Sequence, residues 1–215
     1  MISLQAALPK LGHDVDAAEG SLARAKFWLT RWQSIAAGPD TPIMSHSILS
    51  PTEIATWFDA TRHRPHITVS VAQLTQAYVD EGEALNVRGD IAFAQSILET
   101  GGFSFPAGGQ LLGTDNNFAG IDACDSCAHG RTFPDARTGV RAQLQLLRVY
   151  ADPNASSAQF PGGPLMPNLD RHFLKGKVPT WNALTHTWAT ANAYGDRILG
   201  IYEQMLGWLT DRAQL

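Results

Sequence analysis

The run Ile91-Ala-Phe-Ala-Gln-Ser-Ile-Leu-Glu-Thr-Gly-Gly-Phe103 constrains this chain more than any other stretch. Residues 91–94, 97 and 98 are apolar on nearly every side of a helical projection. A helix through them has to be buried in a core rather than laid on a surface. Asp90 is placed to cap its start. Gly101 and Gly102 are placed to end it, because glycine takes the left-handed conformation that follows a last helical turn. Glu99 then falls in the final turn of a buried helix, where the negative end of the helix dipole and poor solvation both raise a carboxyl pKa. A partly exposed glutamate at a fraying helix end is the plain reading of that position. The chemical reading is an acid kept protonated near neutral pH, able to donate to a leaving oxygen.

The other elements read as helices too. Residues 3–36 have helical composition interrupted by Pro9 and Gly20, which predicts two short helices or one kinked helix. The loop Gly38-Pro-Asp-Thr-Pro-Ile43 reads as a linker. It divides a helical extension and linker over residues 1–45 from a domain over residues 46–215. Ser50-Pro51 with Glu53 starts one helix, and Ser70 with Gln73 forms a capping-box pattern for another over about 71–86. The acidic run Asp80, Glu81 and Glu83 on that helix reads as a solvated face. Residues 104–133 read as loop with one weak hairpin. Thr138 is placed to cap a helix through Tyr150, and Ala151 to Pro167 is a loop long enough to suggest function. A short helix near 169–174 and a last one from about Ala193 to Arg212 complete a mainly α chain.

Composition narrows the partners. With 44% hydrophobic and 17% charged residues the chain has ordinary globular character, and 215 residues suffice for a sizeable core. A net charge of −4 without a run of Lys or Arg argues against nucleic acid as a partner. No stretch approaches the length of apolar sequence that a membrane span needs. Six Trp, four Tyr and nine Phe supply flat apolar faces of the kind that stack on sugars, although most belong to a core.

Three segments in order carry a resemblance. Ala94-Gln-Ser-Ile-Leu-Glu-Thr-Gly-Gly-Phe103 is similar to an Ala-x-x-x-Leu-Glu-Ser/Thr-Gly-x-Gly helix end, and Asn116-Asn-Phe-Ala-Gly-Ile121 to an Asn-Leu-Phe/Ala-Gly-Ile segment. Trp188-Ala-Thr-Ala-Asn-Ala-Tyr-Gly-Asp-Arg-Ile-Leu199 is similar to Tyr-Ala-Thr-Asp-Pro-x-Tyr-x-x-Lys-Ile-Leu, with Trp188 in place of the first tyrosine. Together they resemble the bacterial glucosaminidase family of peptidoglycan hydrolases, glycoside hydrolase family 73. The resemblance spans about residues 47–212 and implies a lysozyme-like helical domain with a small loop or hairpin lobe. It implies Glu99 as the general acid and Tyr194 as a cleft tyrosine. Asn116, Asn117, Phe118 and Trp188 are then assigned to substrate binding, with Trp188 either stacking on a sugar or filling the core.

The chain departs from the family at the second carboxylate. The segment where the family carries a second Glu offers here only Asp122, Asp125 and Asp135. A substrate with a 2-acetamido group can supply its own nucleophile, which lets a single acid suffice. Cys124 and Cys127, the only cysteines, are spaced C-x-x-C with His129 close by. A loop-closing disulfide, a redox pair and part of a zinc site are three readings of them. No second Cys or His pair completes a zinc site and no βαβ pattern accompanies a redox motif, so the disulfide is favoured, which implies an oxidising compartment. No Gly-x-Ser-x-Gly elbow or phosphate loop supports other chemistry.

The resemblance thus implies an endo-β-N-acetylglucosaminidase acting on peptidoglycan glycan strands outside the cytosol, with no metal or organic cofactor. A lytic transglycosylase, or a non-catalytic glycan-binding module of a tail or wall assembly, are the alternatives. Residues 1–45 are either an arm packed on the domain or a means of attachment to such an assembly.

Overall fold

Local sequence signals set the helix starts. In α1 (Pro51–Thr61) proline occupies the first helical position, and Glu53 Oε2 accepts from both Ser50 N and Ser50 Oγ at 2.8 Å. The Ser70–Gln73 capping box opens α2 (Val71–Leu85), which ends on Asn86 in the left-handed conformation. The apolar run forms α3 (Gly89–Thr100), buried from Gly89 through Ile97. Two further helices follow, α4 (Ala136–Ala151) and α5 (Tyr194–Ala213), separated by short 3-10 turns.

The computed structural model describes residues 15–16, 18–23, 26, 37–61, 64–123 and 129–213. Two compact units are distinguished, Ala37–Met205 and Met1–Ala36 with Leu206–Leu215. Residues 15–16, 18–23 and 26 are helical. The rest of the predicted N-terminal helices lies outside the described residues. In the larger unit α2 is central, packing against α1, α3 and α4. A Cβ on Gly89 would stand 2.0 Å from Tyr78 O, so only glycine lets the first turn of α3 approach α2 so closely. The core beside them is aromatic. Phe58, Phe93 and Phe103 meet pairwise at centroid distances of 5.4 to 6.0 Å, Tyr78 joins through Phe93 at 5.5 Å, and Phe118 through Phe103 at 6.0 Å.

The architecture is mainly α, and among the described residues no strand forms. The weak hairpin of residues 104–133 is therefore corrected: Gly130 N bonds Gln110 O at 3.2 Å, Arg131 N bonds Ile121 O at 2.9 Å and Phe133 N bonds Asp115 O at 2.8 Å, three separate ties without a ladder among the described residues. Among the described residues no helix is long and apolar enough to cross a membrane. The expected short helix near 169–174 is a 3-10 turn, Leu169–Arg171.

Three polar assignments also change. Asp90 does not cap α3, whose N-cap is Arg88. It is a buried hub, paired with Arg88 through two bonds of 2.8 Å and accepting from the main chain of Ile48, Leu49 and Ile91 and from Tyr202 Oη. That many donors offset the cost of removing a carboxylate from water. Asp135, not Thr138, caps α4, accepting from Thr138 N and Oγ1 at 2.8 Å each. Glu81, expected on a solvated face, is 2% exposed and gripped by Arg137 and by both Arg141 Nε (2.7 Å) and Nη2 (2.9 Å) from α4.

Residues expected to be linker are packed. Ile43 is fully buried, its N–H bonds Pro179 O and its carbonyl accepts from Arg88 N, both at 3.0 Å. Trp181 N bonds Thr41 O at 3.0 Å, so residues 41–43 lie along residues 179–181.

Candidate active site

The end of α3 is rigidly defined. Gly101 takes the left-handed conformation expected of it, and Gly102 N closes on Ile97 O at 2.7 Å. Thr100 Oγ1 bonds Ser96 O and accepts from Phe103 N, and Phe103 itself has φ of 60°. A non-glycine residue holds such a backbone only where packing insists, and here the ring is locked between Phe58, Phe93 and Phe118. Glu99 therefore leaves the helix from a fixed point.

Its carboxyl is half-buried and meets the first residue of α5. Tyr194 Oη donates to Glu99 Oε1. The other oxygen, Oε2, faces Gly120: a Cβ there would lie 3.2 Å from it, and Gly120 has φ of +68°, so glycine leaves Oε2 uncovered. Burial raises the Glu99 pKa, and the Tyr194 hydrogen bond and the charge of Arg197 offset this only in part. Burial, with the carboxylate beside it, also pushes the Tyr194 hydroxyl well above its ordinary range, so it remains a donor at neutral pH.

Gly120 also forms part of a cavity of about 260 Å³, with Asp122, Arg131, Tyr150, His172 and Trp188 among its walls. The Trp188 indole donates to Ala119 O at 3.3 Å and its ring lies 5.6 Å from Tyr150. Tyr150 meets His172 at 4.9 Å, and His172 stacks on Phe173 at 4.8 Å and 26°. The four rings form a staircase from the cavity to the surface, where Phe173 is 73% exposed. Burial lowers the His172 pKa, so its ring is neutral at neutral pH, with Nδ1 accepting from Leu174 N. The long loop that brings His172 here is pinned by the buried Gln145, whose amide bonds Gly163 O at 2.8 Å and Leu165 N at 2.9 Å.

Other expected site residues have different surroundings. Asn117 is fully buried, donating to Ile121 O and Arg131 O at 2.8 Å each and accepting from Ile121 N at 3.1 Å. Asn116 is buried between Thr68 Oγ1 at 2.6 Å and Phe133 O at 3.1 Å. Phe118 fills the aromatic core. These three side chains shape the loop that carries Gly120, and their hydrogen-bonding groups are spent inside the protein. Asp122 stands on the cavity wall with φ of 58°, paired with Arg131 at 2.6 Å. Asp135 serves α4 as its cap. Asp125, Cys124 and Cys127 lie outside the described residues.

Sequence reasoning missed Gly120, Tyr150, His172 and the two buried glutamines Gln95 and Gln143. One signal was available for Gln95, since it is an amide in the middle of an otherwise apolar helix.

The sequence profile of the family described as "Mannosyl-glycoprotein endo-beta-N-acetylglucosaminidase", or Glucosaminidase, matches residues 75–206. The chain belongs to this glucosaminidase family. The match takes in Glu99, Gly120, the cavity wall and Tyr194, so all of them lie within the glucosaminidase domain. An uncharacterized protein of Borreliella burgdorferi is 30% identical over 139 residues, covering 63% of this chain and 63% of that protein. No solved structure gives a significant match. The glucosaminidase domain thus has its buried carboxyl at the end of α3, with a tyrosine from α5 on one oxygen and an uncovered glycine by the other.

Proposed function

We propose that this chain is an endo-β-N-acetylglucosaminidase that cleaves β-1,4 bonds of peptidoglycan glycan strands, with Glu99 as general acid. The observation that carries the reading is the half-buried Glu99 carboxyl, raised in pKa, with Tyr194 donating to one oxygen and Gly120 leaving the other uncovered. A carboxyl so placed keeps its proton to higher pH than an ordinary glutamate, can give it to the leaving oxygen, and is stabilised by the Tyr194 hydrogen bond once the proton has gone.

In the reaction Glu99 gives its proton to the departing 4-oxygen as the bond from that oxygen to C1 breaks. The acetamido oxygen of the same sugar closes on C1, and water later opens that ring, returning a proton to Glu99. Asp122 is the described carboxylate on the cavity wall, and it takes the part of orienting that water. Trp188, Tyr150 and His172 present the faces against which sugar rings lie, and Phe173 extends them beyond the cavity. Such activity belongs outside the cytosol, where the wall is and where a Cys124–Cys127 disulfide would persist. Two reactive thiols in protein handled without reductant would refute that pairing.

The deciding experiment is mass spectrometry of digested peptidoglycan alongside Glu99→Gln. New reducing N-acetylglucosamine ends support the reading. Anhydro-muramic ends would instead make the chain a lytic transglycosylase, and no products at all a binding module. Glu99→Gln is expected to lose most of the roughly hundred- to ten-thousand-fold that general acid catalysis supplies, while retaining binding to insoluble wall. Phe173→Ala is expected to weaken action on polymeric glycan several-fold and to leave short oligosaccharides nearly unaffected. Equal losses on both would remove Phe173 from the binding surface.

A further inference from the structure

Behind Glu99 and Tyr194 runs a line of buried polar side chains that the reaction above does not use. Tyr194 Oη accepts from Gln95 Nε2 at 2.9 Å, Gln95 Oε1 accepts from Gln143 Nε2 at 2.9 Å, and Gln143 Oε1 accepts from Tyr78 Oη at 2.7 Å. Ser96 Oγ lies 3.1 Å from Gln143 Oε1 and also bonds Tyr78 Oη. Tyr78, Gln95, Ser96 and Gln143 are fully buried, and Tyr194 nearly so. Polar groups in such numbers inside a helical core are tolerable only when each is satisfied, and a core of apolar side chains would avoid the cost.

The direction of the bonds from Gln143 through Gln95 and Tyr194 to Glu99 follows from one group that can only accept. Gln143 Nε2 also donates to the main-chain carbonyl of Ala92 at 3.2 Å. A carbonyl has no proton to give, so the amide nitrogen of Gln143 lies on that side. Its second proton meets Gln95, which must answer with Oε1 and so turns Nε2 toward Tyr194. The tyrosine oxygen is thereby made an acceptor from Gln95, and its single proton goes to Glu99 Oε1.

We propose that Gln95 and Gln143 are positioning residues that, anchored on Ala92 O, oblige Tyr194 to donate to Glu99 Oε1 and confine the transferable proton of Glu99 to Oε2. The inference rests on the reading of Glu99 as the general acid. A proton on Oε1 would face a hydroxyl whose own proton then has no acceptor, because Gln95 offers only N–H there. On Oε2 the proton stands beside Gly120, which has no side chain to cover it. From α5 the groups acting on Glu99 are Tyr194 and Arg197, while Asp122 and Arg131 pair with each other on the cavity wall.

Two variants test this. Gln95→Glu keeps the shape but replaces the donor with an acceptor, drawing the Tyr194 proton away from Glu99. Gln95→Met removes the donor without adding charge, and serves if the buried carboxylate prevents folding. Each is measured by the pH profile of kcat on peptidoglycan and, independently of turnover, by ¹³C NMR titration of the Glu99 carboxyl, assigned through its loss in Glu99→Gln. For Gln95→Glu, kcat is expected to fall at least about tenfold with KM unchanged, a fraction of what acid catalysis supplies. Its Glu99 titration and the alkaline limb move to higher pH. Gln95→Met moves both the same way by less, because the Tyr194 hydroxyl is no longer polarised by a donor. Wild-type titration and profile in both variants, with only thermal stability lost, would overturn the proposal. If Glu99→Gln stayed active, the assignment of the acid would fail, whereas the titration shift in Gln95→Met would still judge the hydrogen-bond line.

Discussion

A carboxyl that a fold holds above its ordinary pKa costs stability whenever it ionises. For Glu99 the folded value is raised, so its favourable contribution is complete below the unfolded value and is lost as pH rises through the folded one. Glu99→Gln should therefore melt higher than the wild type at neutral pH and at the same temperature in acid. Each kcal/mol of relief is worth about 2–4 °C in a chain of this size, and calorimetry across pH checks it. Asn117→Asp should do the opposite, since a carboxylate would face the carbonyls of Ile121 and Arg131 in place of two N–H donors. The expected loss is at least about 1–3 kcal/mol, read by thermal unfolding. These residues also mark what sequence discloses. Glu99 and Tyr194 are legible because a carboxyl ending a buried helix, and a motif spaced from it, define a position. Asn116 and Asn117 are not, because an amide that ties a loop together and an amide that would hold a sugar are the same letter, and only the direction of the side chain separates them.

Among the helices, α2 and α4 are joined by the Glu81 carboxylate, which lies between Arg137 and Arg141. Burial opposes its ionisation, but the hydrogen bonds and charges of the two arginines prevail and hold its pKa below the usual glutamate range. Its stabilising effect is present above the unfolded pKa and disappears as pH falls through the folded value. Glu81→Gln should thus lower the melting temperature at neutral pH, by about 1–3 kcal/mol of stability, and converge with the wild type in acid. Helix starts with local signals are readable in the sequence, as at Ser50 and Ser70, since cap and partner lie three residues apart. The roles of Glu81 and Asp90 are not, because they also depend on partners from distant elements: Arg141 is 60 residues from Glu81, and besides its neighbour Arg88 Asp90 meets Tyr202, 112 residues away. A charged run whose arginines are distant in the chain has the same pattern as one facing water.

For the molecule as a whole, the packing of Ile43 sets where the chain can be shortened. Removal of residues 1–36 should leave a single cooperative unfolding transition, whereas removal of 1–44 takes away Ile43 and its bonds to Pro179 and Arg88. The second truncation should be less stable by about 2–5 kcal/mol, the usual effect of emptying a core site of that size. Denaturant titration of the two truncated chains compares them directly, and equal midpoints would show that Ile43 contributes little. A last consequence attaches to the bond between Tyr194 and Glu99, which joins residues 95 apart in the chain. A ribosome adding about 5–20 residues per second makes the glutamate on the order of 5–20 seconds before the tyrosine. Until then the carboxyl has neither the donor that aims it nor the helix that encloses it. On the proposed role of Glu99, a chain that ends before Tyr194 should therefore release no sugar from peptidoglycan, and the site is completed only with the final helix.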